Sequence, residues 1–252
     1  MSQSITHVLD LINQRTSIRK FKPMLLSGDD KKQITKASFS APTTQFRQAG
    51  SVIEVSDPKI KQQLAEICGQ SYVANNGLLL VFIADEYRNI AIAKEQNQEH
   101  FMYKKPISLI NAIVDTSLMA QNASLASDSL NIGSVYLGSI LNDTQKVIDL
   151  LKLPKYTFPL FAMAFGYPDD KPDIKPKLDD TNRLFENSYD TNHINSINFD
   201  TYDKKVKDYY DSRDSHNRND SFITQIAQGG HLIQGKRLDI AKILSNQGFD
   251  WQ

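Results

Sequence analysis

Apolar residues at Ile5, Val8, Leu9 and Ile12 recur at i, i+3, i+4 and i+7, which predicts an amphipathic first helix with Ser4 as its N-cap. A second helix is expected from Ser27, where Ser27-x-x-Asp30 resembles a capping box, to Ser40. Asp57-Pro58 opens a third, with Ile60, Leu64 and Ile67 as its buried stripe and Gly69 as its stop. The longest helical pattern runs from Ile107 to Leu130 and carries Ile110, Val114, Leu118, Ala126 and Leu130. It is free of Gly and Pro after Pro106, and it is expected at the centre of the fold. Thr144 to Leu151, capped by Asp143, and Asp200 to Tyr210 read as further helices, and the chain ends in two short ones.

Four segments read as strands. Ser51–Val55 and Val135–Leu137 are short, whereas Leu78–Ala84 and Phe158–Phe165 are continuous apolar runs, as in strands covered on both faces. Few strands scattered among many helices give an α+β or α/β class, with helix predominating. Pro168 to Lys177 breaks the pattern with three prolines, three aspartates and three lysines, an extended stiff stretch of no net charge. We read residues 1–252 as a single domain, with a polar excursion over about 195–230.

Charge then removes several functions. Lys plus Arg number 29 and Asp plus Glu number 29 over 252 residues, a balance that argues against nucleic acid held by bulk charge. The longest apolar run is far short of the roughly twenty residues a membrane span needs. The single Cys68 permits no internal disulfide, and the N-terminus lacks the features of a secretory signal, so a cytoplasmic setting is expected. His7, His100, His193, His216 and His231 show no ligand spacing, and no metal is expected. Cys68 ends an amphipathic helix and reads as a small buried hydrophobe rather than a nucleophile.

What remains is anion chemistry. Arg15-Thr16-Ser17-Ile18-Arg19 places two guanidinium groups and two hydroxyls in five residues, and an extended backbone would turn Arg15, Ser17 and Arg19 to one face. Spacing alone favours a solvated basic connection here. Lys175-Pro176-Lys177 flanks a stiff proline with two ammonium groups and taken alone reads as a surface loop. Arg213 and Arg218 bracket Asp214-Ser215-His216-Asn217; a mobile polar loop is the simpler account, and a second phosphate site the functional one.

Collinearity changes these readings. Arg15-Thr16-Ser17-Ile18-Arg19-Lys20-Phe21, Ala41-Pro42-Thr43-Thr44, Gly69-Gln70, Asp115 to Ala123, Gly133 to Gly138, Phe158-Pro159-Leu160-Phe161, Lys175-Pro176-Lys177 and Glu186 to Tyr189 occur in one order. Together they resemble the flavin-dependent nitroreductase family, most closely its NADPH-dependent nitroreductase and flavin reductase subfamily, over roughly Ile5 to Gly248. The resemblance implies an α+β fold with a central mixed β-sheet flanked by helices, in an intertwined homodimer with one FMN per active site at the subunit seam.

Carried over residue by residue, it implies phosphate contacts from Arg15, Ser17, Arg19, Lys175 and Lys177, with Thr16 also among the cofactor-binding residues. It implies ring and ribityl contacts from Thr43, Gln70, Tyr136, Leu137, Gly138 and Ser139, and NADPH 2′-phosphate contacts from Arg213 and Arg218. Arg15 stands where members often have His, Thr16 where they have Arg, Lys177 where they have Arg, and Ser139 where they have Gly. The implied reaction is ping-pong: NADPH gives hydride to the flavin, then nitroaromatics, quinones or free flavin take two electrons in the same cleft. No dedicated catalytic side chain is expected, because solvent can supply protons. The alternative is a non-enzymatic FMN carrier or sensor.

Overall fold

The computed structural model describes residues 8–211, 221–232 and 235–251. These form two compact units, one of residues 1–172 with 235–252 and the other of residues 173–234.

In chain order the first unit carries α1 (Val8–Gln14), α2 (Gly28–Phe39), β1 (Gly50–Glu54), α3 (Pro58–Cys68), β2 (Leu78–Asp85), α4 (Tyr87–Glu95), α5 (Pro106–Ser129), β3 (Gly133–Leu137), α6 (Thr144–Leu150) and β4 (Thr157–Gly166). The second carries α7 (Thr191–Ser196), α8 (Asp200–Asp211) and α9 (Phe222–Leu232), and α10 (Ile240–Asn246) returns to the first. The helix signals act as local chemistry requires. The Ser27 hydroxyl accepts from the Asp30 amide, Asp57 from Lys59, and Asp143 from Lys146, each satisfying an amide that the first helical turn leaves without a partner. Gly69 closes α3 at φ 64°, a left-handed position where a Cβ would be strained.

The sheet has the order β1-β2-β4-β3, and its four strands pair antiparallel throughout. Among the described residues the parallel part of the expected mixed sheet is confined to one bridge, Ser17 to Ser134. Pro159 is accommodated inside β4 because the ladder shifts between Phe82 and Ile83, a bulge that relieves the demand for its missing N–H. β2 is buried along its whole length, as a continuous apolar run implies. Its side chains alternate: Leu79, Val81 and Ile83 join α3 and α6 residues Leu64, Cys68 and Val147 on one face. Leu78, Leu80 and Phe82 join Ile34 of α2 and Met119, Ala120 and Ala123 of α5 on the other. Cys68 is the buried apolar filler expected, and burial pushes its thiol pKa up.

α5 is central to the fold but faces the other way from its apolar pattern. Ile110, Val114 and Leu118, expected inside, lie with Ile107 on an outer stripe, each 40–53% exposed. The buried face carries Leu109 and Met119 but is otherwise small or polar: Ser108, Ala112, Asp115, Thr116, Ala120, Ala123, Ser124 and Ser127. Short side chains allow the helix axis to approach the sheet and α2, and the bulky stripe is left outside. In the same way Val8, Leu9 and Ile12 of α1 are exposed. Ser4 and Ile5 lie outside the described residues.

Candidate functional site

The Arg15–Arg19 segment is extended because β3 templates it. The Ile18 amide donates to the Ser134 carbonyl at 3.1 Å, within the parallel bridge of Ser17 and Ser134. Ile18 is buried, and a Cβ on Gly133 would come within 2.5 Å of its Cγ1, so the close approach requires glycine at 133. With Ile18 inward, Ser17 and Arg19 fall on the other side, as the period of two demands. Arg19 is exposed; its Nη1 donates to the Ser17 carbonyl at 3.3 Å. Arg19 also acts on Tyr72, whose hydroxyl pKa is raised by burial and held back by this guanidinium. Thr16 is half-buried on the same segment.

Arg15 departs from the simple alternation. Its Nε donates to the Ser124 hydroxyl on α5 at 2.9 Å, lies 4.0 Å from Asp128 Oδ2, and its guanidinium carbon sits 5.5 Å from the centre of the Tyr136 ring. Among the described residues, Arg15 Nη2 is buried with no hydrogen-bond partner, and so is Asp128 Oδ2. Burial raises Asp128 to about 6 against the opposing pull of Arg15. Burial likewise pushes the Tyr136 hydroxyl up to about 12, with Arg15 opposing and Asp128 adding to the rise. A buried guanidinium N–H without an acceptor costs roughly 1–3 kcal/mol unless something fills the role.

The remaining candidates divide into groups. Gln70, at the cap of the turn Ser71–Val73, accepts through Oε1 from the Ser139 hydroxyl at 3.0 Å. Tyr136, Leu137, Gly138 and Ser139 follow one another from the end of β3 into the next turn. The Leu137 side chain is buried in the core, and a Cβ on Gly138 would meet nothing within 4 Å, so internal packing does not explain that glycine. Thr43 precedes a turn in which Gln45 and Phe46 both have positive φ and Phe46 is 83% exposed. That turn is tied to α5 by the Thr44 amide donating to Asp115 Oδ1 at 2.8 Å; among the described residues no hydrogen bond joins Thr43 to the other candidates.

In the second unit, Lys175 Nζ donates to the Tyr210 hydroxyl at 2.6 Å and stands 5.0 Å from its ring centre. Tyr202 donates to the Pro176 carbonyl at 3.1 Å, so α8 pins the Lys-Pro-Lys segment; Lys177 is exposed. Arg213 and Arg218 lie outside the described residues. Groups of His, Cys, Asp and Glu that could hold a metal ion are absent among the described residues. No helix among them is long and apolar enough to cross a membrane.

Sequence reasoning missed Asp128 and Ser124, which bind Arg15 from 113 and 109 positions away. It missed Arg237, whose Nη2 donates to the Gly138 carbonyl at 2.8 Å, and Asp115, which fixes the turn after Thr43. Only Tyr202 and Tyr210 left a trace, as an aromatic stripe at helical spacing.

This arrangement of antiparallel sheet, central helix and basic strap defines a nitroreductase-type α+β protein. The nitroreductase family model matches residues 12–167 and the family's C-terminal domain model matches residues 175–252; the chain belongs to the nitroreductase family. It is 37% identical over 247 residues, 96% of this chain and 98% of the relative, to an "NADPH-dependent oxidoreductase" of Staphylococcus saprophyticus. Its structure is similar to the NfrA1 nitroreductase of B. subtilis, with a TM-score of 0.90 and 32% identity over 98% of this chain and 100% of that one. It is also similar to the NADPH:FMN oxidoreductase of Vibrio harveyi complexed with NAD+, with a TM-score of 0.83 and 28% identity over 97% and 99% of the two chains.

Proposed function

We propose that this chain, an NADPH-dependent oxidoreductase of the nitroreductase family, binds FMN and passes reducing equivalents from NADPH to nitroaromatics, quinones or free flavin in a ping-pong cycle. The observation that carries the reading is Arg15 Nη2, a buried cationic donor with no acceptor among the described residues, on a strap that also presents Ser17 and Arg19. A phosphate monoester supplies the missing acceptor, and guanidinium forks suit its oxygens. The residues present therefore fit the group. FMN, when bound, supplies the capacity to accept and release hydride.

The chain's own part is to bind and orient. Arg15, Ser17 and Arg19 hold the phosphate, with Thr16 on the same strap. Gln70, Tyr136, Gly138 and Ser139 line the ring and ribityl side, and the Gln70–Ser139 hydrogen bond fixes both polar groups before anything binds. Lys175 and Lys177 add positive charge; the hydrogen bond from Lys175 to Tyr210 removes rotamer freedom that binding would otherwise have to quench. Arg213 and Arg218 select NADPH through its 2′-phosphate.

The site works as a homodimer in this reading. The apolar stripe Ile107, Ile110, Val114 and Leu118 on α5, with Val8, Leu9 and Ile12 on α1, is more apolar surface than a monomer readily exposes, and a second copy covers it.

Two measurements test the activity. Under anaerobic conditions NADPH should bleach the flavin absorbance of the purified protein; flavin that stays oxidised marks a carrier rather than an enzyme. Arg218→Ala should raise KM for NADPH about tenfold or more, the worth of one charge-assisted phosphate contact, and leave NADH nearly unchanged. Equal losses with both nucleotides would reject the 2′-phosphate role.

A further inference from the structure

Arg15 is paired in a way that leaves both partners incomplete. Its Nε is committed to Ser124, its ring-facing side to Tyr136, and Asp128 lies 4.0 Å from Nε, too far for a hydrogen bond. Among the described residues, Asp128 Oδ2 is buried without a donor while Arg15 Nη2 is buried without an acceptor. That oxygen compensates the guanidinium charge without a hydrogen bond.

We propose that Asp128 acts through Arg15 as a protonation-linked control on cofactor retention: binding of the FMN phosphate to Arg15 is coupled to proton uptake by Asp128. The inference rests on the reading that Arg15 holds this phosphate. The coupling follows from charge. An incoming phosphate takes over as the counter-ion of Arg15 and places negative charge near a desolvated carboxylate, which then binds a proton from solvent more tightly. By reciprocity, a protonated Asp128 frees the full charge of Arg15 and strengthens phosphate binding.

The groups that act on Asp128 among the described residues are Arg15, from the strap after α1, and Tyr136, from β3. On α5 itself its neighbours at the site are the uncharged Ser124 and Ser127. Tyr136 stays neutral over the range concerned, so Arg15 is the charge that matters. Asp128 already titrates near 6, where a modest further push carries it across neutral pH. Ser124 and Tyr136 hold the guanidinium in place without Asp128, so removing the carboxylate's charge alters the field more than the geometry.

The test is calorimetric titration of the flavin-free full chain with FMN and, separately, with riboflavin, which lacks the phosphate. Runs at pH 7 in buffers of different protonation enthalpy count the protons exchanged. The wild type should take up about half a proton more than Asp128→Asn on binding FMN. At pH 7.5 Asp128→Asn should bind FMN roughly three- to thirtyfold more tightly than the wild type, with the gap closing by pH 5.5. Riboflavin should show neither difference. Asp128→Ser repeats the comparison should the Asn variant fold poorly, and Asp128→Glu should restore wild-type behaviour. Equal proton uptake, or a change of the same size with riboflavin, overturns the coupling. A wild-type chain that binds riboflavin as well as FMN overturns the phosphate reading itself.

Discussion

The two faces of α5 reverse the usual rule. The face against the sheet is built mostly from Ser, Thr, Ala and a buried Asp, with Leu109 and Met119 its large apolar members, and the outer face from Ile, Val and Leu. Within one chain this is an apolar stripe on the wrong side. It is what the proposed homodimer would require: the helix's own sheet demands close approach, and a second copy would supply the apolar burial. The comparison teaches that side-chain size decides what sits against a tightly packed sheet, and that leftover hydrophobic surface then marks association.

Breaking the outer face should have the largest effect. Ile110→Glu with Val114→Glu should weaken self-association more than a hundredfold, since two charges would be buried at an apolar seam. Sedimentation velocity at micromolar protein should show monomer in place of dimer; an unchanged sedimentation coefficient would remove the assignment of that face. The same variant should still fold, because the inner face is untouched.

Close packing at the inner side has an equally direct probe at Gly133, where the strap bearing Ile18 approaches β3. Gly133→Ala should cost about 1–3 kcal/mol in denaturant unfolding, because the added methyl meets Ile18 with no room to retreat. It should also weaken FMN retention by displacing Arg15 and Arg19 together. A variant as stable as the wild type would show that the strap yields easily.

A smaller effect concerns Asp128, on the last turns of the inner side. Its native pKa, about 6, lies above the ordinary carboxylate value of 3.8, so the folded chain binds this proton more tightly than the unfolded one. Its contribution therefore favours the fold fully below about pH 4 and is lost as pH rises through 6. The stability of the wild type relative to Asp128→Asn should rise on the order of 1–2 kcal/mol between pH 7 and pH 4, measured without flavin. A flat or opposite trend would contradict the buried, weakly compensated carboxylate.

Much of this was legible from local signals. The four strands fall within a residue or two of their expected positions because apolar runs and turn residues are local properties. Ser27, Asp57 and Asp143 cap as their positions in the sequence suggest, for the same reason. The facing of α5 was not legible, since hydrophobic periodicity says which side is apolar but not which neighbour covers it. The candidate site was inferred from its cations and from the family resemblance. Its supporting residues were not: Asp128, Asp115 and Arg237 gain meaning only from partners 71 to 113 positions away.

The account depends on the Arg15–Arg19 strap holding a flavin phosphate, and flavin retention after exhaustive dialysis tests this most directly. The wild-type chain should stay yellow, with near-stoichiometric FMN, while Arg19→Ala should lose most of its flavin, a loss of about 1.5–3 kcal/mol in binding. A wild-type protein that is colourless and takes up no added FMN, or an Arg19→Ala variant that retains flavin fully, would contradict it.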